Sequence, residues 1–400
     1  MNRSEPLLNS LHLTALFEKQ EEMREWRRDI HAHPELGFQE KRTSELVASR
    51  LESFGIEVHR GIGKTGVVGV LKSGKSARSV GLRADMDALP IQEANTFAHR
   101  SRHDGVMHAC GHDGHTAMLL GAARHLARTR GFDGTVNFIF QPAEEGIGGA
   151  KAMVEDGLFR RFPCESLFGM HNRPGMALGR FAVRSGPMMA GGAFFDIDVV
   201  GRGAHGARPE SGIDPVLAAA HIATAIQSIV SRNVRPVETA VVSVTQIHAG
   251  DAYNVIPQSA RLSGTVRAFS TGVMDMIGRN LARIAEGVAA GFGANAKTDF
   301  RPIFPPLVND PGEAEFAAGV CAELVGLDKV RRDPPLIMAS EDFSYMLAEV
   351  PGCYVNIGNG DGDGACEVHN PGYDFNDAAL PYGAAFFVRV VETKLKAQNR

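Results

Sequence analysis

Apolar residues follow one rhythm in the two flanks of the chain and another between about residues 186 and 302. In the flanks, short unbroken apolar runs alternate with stretches of helical period. Residues 18–30 and 41–54 read as charged amphipathic helices, the second stopped by Gly55. Residues 115–129 carry apolar side chains at 118, 119, 122, 123 and 126, which is the spacing of a helix face. Residues 66–72 and 79–86 are β-rich runs, and 135–140, 167–170 and 354–357 read as short strands of the buried type. Strands alternating with helices predict an α/β layer around a mixed, largely parallel sheet.

The middle of the chain differs. Residues 195–199 alternate strictly between apolar and polar, as a strand with one wet face does. Asp214-Pro215 opens a helix with a capping side chain and a proline in the first turn. Strands follow at 240–247 and 260–269, then a helix from Ser270 to about Gly291 and a strand at 294–300. The order β-α-β-β-α-β is the split, ferredoxin-like α+β arrangement. The expectation is therefore an inserted domain at 186–302, with a catalytic domain built from 1–185 and 303–400. No internal repeat interrupts this division.

Composition narrows the function classes. Apolar residues make up 44% and charged residues 22% of 400, an ordinary globular balance. The formal net charge is -4, so a basic surface for nucleic acid is not expected. The five cysteines are odd in number and widely spaced, which argues against a disulfide framework and for a reducing, cytoplasmic setting. The N-terminus lacks the features of a secretory leader. The most apolar helical run, 215–230, is too short and too polar to span a bilayer, so no membrane is expected as a partner.

Two glycine patterns invite a nucleotide reading. Gly69-Val-Leu-Lys-Ser-Gly74-Lys75-Ser76 matches the phosphate-loop pattern, and Gly61-Ile-Gly63-Lys-Thr-Gly66 matches the dinucleotide one. Both motifs work only where a strand passes into a helix whose amides hold phosphate. Here strand-like sequence lies on both sides, so the first is expected to be a hairpin turn. No G-x-S-x-G serine elbow occurs either.

His108-Ala-Cys110-Gly-His112-Asp113-Gly-His115 packs three imidazoles, a thiol and a carboxylate into eight residues. Neutral imidazole with thiolate favours zinc or a neighbouring transition metal. Alone, the cluster is also compatible with a structural zinc site. Further ligand-type residues follow other expected strands: Asp85 and Asp87 after 79–84, Glu144 and Glu145 after 138–140, His171 after 167–170, and His369 in a glycine-rich loop beyond 354–357. In a parallel sheet these positions share the rim where α/β proteins place their sites. Each has an ordinary alternative as a solvated acid or surface histidine; their joint appearance after successive strands favours a site.

With those segments in view, the chain resembles the hippurate hydrolase / indole-acetyl-amino-acid hydrolase branch of the dinuclear-metal aminoacylase and carboxypeptidase family. The likeness rests on residues 29–38, 82–90, 108–115, 140–145, 203–209, 254–257, 264–267 and 340–343, in order along nearly the whole chain. It implies a metallopeptidase-like catalytic domain, with the inserted domain serving as lid and dimerisation module. It implies Cys110, His112, Glu145, His171 and His369 as ligands of two divalent ions, zinc or manganese, with cobalt and nickel also suited. Glu144 would be the general base, and Asp87 would orient a ligand. Two divalent cations would be balanced by the Cys110 thiolate, Glu145, Glu144 and one hydroxide, with the histidines neutral. His31 and His33 are read as structural, and His108, Asp113 and His115 as shaping the loop. Cys164, Cys321, Cys353 and Cys366 are read as buried or incidental.

The reaction so implied is metal-dependent hydrolysis of an N-acyl, hippurate-like amino acid to a carboxylic acid and a free amino acid. Read alone, His205 is a surface histidine. The resemblance instead implies that the dimer lends it across the interface to polarise the scissile carbonyl, in a homodimer or a dimer-based tetramer. Asn254 and Arg267 would hold the substrate carboxylate, Arg267 through its guanidinium fork; otherwise Arg267 is an ordinary sheet arginine. A dipeptidase or carboxypeptidase uses the same machinery, and an inactive binding relative would keep only the fold. A structural zinc protein would unfold on chelation.

Overall fold

The computed structural model describes residues 11–362 and 365–396. The N-terminal stretch inspected for a leader falls largely outside the described residues. The chain divides into two compact units. The first comprises the described residues up to Gly186, Val308–Pro335, and those from Tyr345 onward. The second comprises Pro187–Leu307 and Leu336–Ser344.

The first unit is built on an eight-stranded mixed sheet. At its centre Gly134–Gln141, Ser79–Asp85, Ser166–Pro174 and Gly352–Gly360 lie side by side and parallel. Every residue of Ser79–Asp85 and of Gly352–Gly360 is buried, which explains why these strands read as continuous apolar runs rather than alternating ones. Glu57–Ile62 and Gly66–Ser73 form an antiparallel pair at one edge, and Gly66–Ser73 runs antiparallel to Gly134–Gln141. The helix His112–Thr129 packs on Leu380–Lys394 and Gln20–Ala32. Leu119, Leu120, Phe138, Phe168, Ile357 and Phe386, all fully buried, belong to one core.

The sequence places these elements well and their ends less well. The helix expected at 115–129 begins at His112, because its first turn is polar and carries no apolar period. Gly111, at φ +93°, lets the chain turn into it. The helix expected at 18–30 is Gln20–Ala32, and a separate helix, Leu11–Phe17, precedes it. The phosphate-loop lookalike is a turn between Gly66–Ser73 and Ser79–Asp85, but it is not a hairpin: Gly134–Gln141 lies between those two strands. The amides of Lys75 and Ser76 both donate to Asp133 Oδ1, at 2.6 and 2.7 Å. The dinucleotide lookalike is the tight connection of the Glu57–Ile62 and Gly66–Ser73 pair.

In the second unit Ala240–Ala249, Ser259–Ala268, Gly191–Val200 and Asn295–Phe304 form an antiparallel sheet in that spatial order. The helices Pro215–Ala225 and Thr271–Gly291 supply Ala219, Ile222, Ile277 and Leu281 to a core with Phe195, Ile197, Val199, Leu262 and Val266. This is the split βαβ order. Asp214 caps the first helix by accepting Val216 N–H at 2.8 Å, and Ser270 caps the second. The unit also takes in Leu336–Ser344, tied by Ala190 N–H donating to the Ile337 carbonyl at 2.9 Å. No helix among the described residues is long and apolar enough to cross a membrane.

Candidate metal centre

Strand register brings the ligand-type residues to one level. Asp85 pairs with Gln141, and Arg83 pairs with both Ile139 and Gly169, so Asp85, Gln141 and His171 end at the same height. His171 lies inside Ser166–Pro174 rather than beyond it, because that strand runs four residues past the apolar stretch. Past Gln141 the chain turns through Pro142 and Ala143 into Glu144 and Glu145. The polar first turn of His112–Thr129 opens at the same edge. His369 is fixed by its own N–H, which donates to the Ala109 carbonyl at 2.7 Å.

Cys110, His112 and His171 place ligand atoms within 4.8 Å of one another, as do Cys110, Glu145 and His369, and His112, Glu144 and Glu145. Cys110 Sγ is 3.3 Å from His171 Nε2, and His369 Nε2 is 3.2 Å from Glu145 Oε1. His112 Nδ1 faces the Asp87 carbonyl at 2.9 Å and Asp87 Oδ1 at 3.2 Å, which leaves Nε2 turned to the cluster. Asp87 Oδ2 accepts the Glu145 N–H at 2.9 Å. One carboxylate thus braces two ligand-type residues.

At the centre the buried His112 Nε2 has no hydrogen-bond partner, and Glu145 Oε1 faces the His369 ring at 3.2 Å. Leaving a buried polar atom unpaired costs about 1–3 kcal/mol, so a cation beside His112 Nε2 removes a penalty. Burial, together with Glu145 and Glu144, pushes the Cys110 thiol well up, so thiolate there needs a positive charge close by. Burial works against protonating His112, but Asp85, Asp87 and Glu145 prevail and hold its pKa up at about 10. Burial and His115 keep His171 neutral, ready to ligate. Nitrogen, sulfur and oxygen donors at these distances fit borderline divalent cations.

Behind these residues lies a supporting layer whose contacts the sequence reading did not give. Asp85 faces Arg83 Nη1 at 2.8 Å and His115 Nδ1 at 2.6 Å. His115 Nε2 meets Asn172 at 2.8 Å, and Asn172 Nδ2 donates to the Tyr373 hydroxyl at 2.6 Å. His115 therefore braces the segment next to His171 and does more than shape a loop. The available signal was its position three residues after His112, on the same helix face. Asp113 is bound by Arg27 at 2.7 Å and His31 at 2.8 Å, so His31 is structural. His33 holds the Asp29 carbonyl at 2.9 Å, and His108 is buried. Cys321 and Cys353 are core residues; Cys164 and Cys366 are half-buried.

His205, Asn254 and Arg267 belong to the second unit. His205 pairs with Val255, and Gly206 N–H donates to the Asn254 carbonyl at 2.7 Å, so His205 and Asn254 are neighbours on an exposed connection. Arg267 lies apart on the strand Ser259–Ala268, opposite Gly192.

Known proteins resemble this chain over most of its length. The model of peptidase family M20/M25/M40 matches residues 81–393. A hippurate hydrolase of Campylobacter jejuni is 43% identical over 95% of this chain and 98% of its own length. An IAA-amino acid hydrolase of Arabidopsis thaliana is 42% identical over 90% of this chain and 82% of its own. The crystal structure of a dinuclear metal-binding M20 peptidase from Bacillus subtilis superposes with a TM-score of 0.84 at 35% identity, covering 96% of this chain and 99% of that one.

Proposed function

The chain belongs to peptidase family M20/M25/M40, and from that premise we propose that Cys110, His112, Glu145, His171 and His369 hold two divalent cations beside Glu144. The protein is a metal-dependent amidohydrolase that splits N-acyl amino acids into a carboxylic acid and a free amino acid. The observation that carries the site assignment is the buried His112 Nε2, which has no hydrogen-bond partner, beside Cys110, Glu145 and His171.

Amide hydrolysis needs a nucleophile at neutral pH, charge stabilisation on the carbonyl oxygen and a protonated leaving amine. Bound divalent cations supply Lewis acidity and bring the pKa of a water from about 15.7 to roughly 7. Glu144, beside Glu145 and in reach of His112, takes the proton from the attacking water and delivers it to the leaving nitrogen. Asp87 keeps His112 and the Glu145 backbone in place. Asn254 and Arg267 bind the free carboxylate of the amino-acid half. His205 polarises the scissile carbonyl, and we assign it to the site of a second copy, which makes the working form a homodimer. Zinc or manganese suits the donors, and five unpaired cysteines suit the cytoplasm.

Glu144→Gln keeps the shape and loses the base. Turnover of hippurate should fall by about a hundred- to ten-thousand-fold with metal content unchanged. Retained turnover in that variant removes Glu144 from the role. A panel of N-benzoyl, N-acetyl and dipeptide substrates, each with a carboxylate and an amidated end, tests the substrate class.

A further inference from the structure

Glu144 and Glu145 follow a left-handed alanine. Ala143 has φ +50°, a region that residues with a Cβ seldom occupy unless their surroundings enforce it. Three contacts enforce it here, and all are local to the first unit. The Ala143 N–H donates to Glu40 Oε1 at 2.8 Å. The Ala143 carbonyl accepts the Gly149 N–H at 2.9 Å. A Cβ at Gly37 would lie 3.0 Å from the Ala143 Cβ, so the turn before Glu40 closes directly over this alanine. Glu40 is fully buried, and its second oxygen accepts the Thr65 hydroxyl at 2.6 Å.

A carboxylate with no exposure is a costly way to satisfy one amide and one hydroxyl, since burial, with Asp87 nearby, pushes its pKa up. No step of the reaction touches it. We propose that Glu40 is a positioning residue: its carboxylate holds Ala143 in the left-handed conformation and thereby aims Glu144 at the reacting water. Released from Glu40, Ala143 relaxes to negative φ and swings the residue that follows. Glu145 keeps a separate tether, its N–H on Asp87 Oδ2. The two neighbouring glutamates are therefore held by different anchors, one for the proton transfer and one for the metals. This inference rests on Glu144 being the general base.

The test is a double-mutant cycle with a metal readout. Glu40→Ala should lower kcat by about ten- to a hundredfold. KM should stay within about twofold, and bound metal by elemental analysis should match wild type. Glu40→Gln keeps an acceptor for Ala143 and an amide that can donate to the Thr65 oxygen, so its kcat should stay near wild type. Adding Ala143→Gly to Glu40→Ala should recover much of the lost kcat, because glycine holds φ > 0 without a brace. Glu40→Asp, one methylene shorter, carries the same comparison if the alanine variant does not fold. In a Glu144→Gln background Glu40→Ala should cost little more. Unchanged kcat in Glu40→Ala, loss of metal in step with kcat, or no recovery with Ala143→Gly each overturn the proposal. Failure of the general-base assignment is read separately, from turnover in Glu144→Gln alone.

Discussion

Among single residues, Asp87 carries the most distinct burden. Its two oxygens face His112 Nδ1 and the Glu145 N–H, so it orients two proposed ligands without being one of them. Asparagine can satisfy one of those contacts and turns a donor toward the other. Asp87→Asn should weaken metal affinity by about ten- to a hundredfold, measured by competition with a chelator of known affinity. Unchanged affinity would take the orienting role away. The proposed ligands were legible because histidine and cysteine crowd where packing does not ask for them, and because the one acidic ligand, Glu145, follows a buried strand. Asp85 was legible as a ligand-type residue at the rim, but not its hold on His115; Glu40 and Asn172 were not legible. A lone acid before a helix and an asparagine beside a histidine are ordinary in sequence, and only the fold shows what they face.

Between elements, the buried guanidinium of Arg27 ties the helix Gln20–Ala32 to the first turn of His112–Thr129. It pairs with Asp113 at 2.7 Å, with Asp377 at 3.4 Å and with Asp374. His31, one turn on, stands between Asp113 and Glu93, with Arg27, His99 and His108 also close to its ring. Burial and Arg27 oppose its charge, and the two carboxylates prevail, so its pKa is raised. Such a histidine stabilises the fold below its unfolded pKa of about 6.5 and loses that contribution as pH rises through the raised folded value. His31→Gln should therefore cost more stability at about pH 6 than at about pH 9 in denaturant unfolding. An equal cost at both would show that His31 is held neutral. Helix and strand types were readable from period alone; this clamp was not, because its partners are 82 and 62 residues away in sequence.

At the scale of the whole molecule, the proposed dimer makes a quantitative claim. If His205 acts in the site of a second copy, mixing His205→Ala with Glu144→Gln rebuilds one intact site in each heterodimer. Random re-association at equal amounts should then return about a quarter of wild-type activity from two nearly silent parents. No recovery would confine the site to one chain. The expected change of rhythm near 186 and 302 came from alternation in one sheet and its absence in the other. What pattern could not show is that Leu336–Ser344 belongs with Pro187–Leu307. This short return has a consequence during synthesis. The second unit lacks its last piece until residue 344 has emerged, and the first unit waits for the strand Gly352–Gly360 and the helix Leu380–Lys394. A nascent chain cut short before that helix therefore leaves the first unit incomplete, a body for chaperones and proteases to handle.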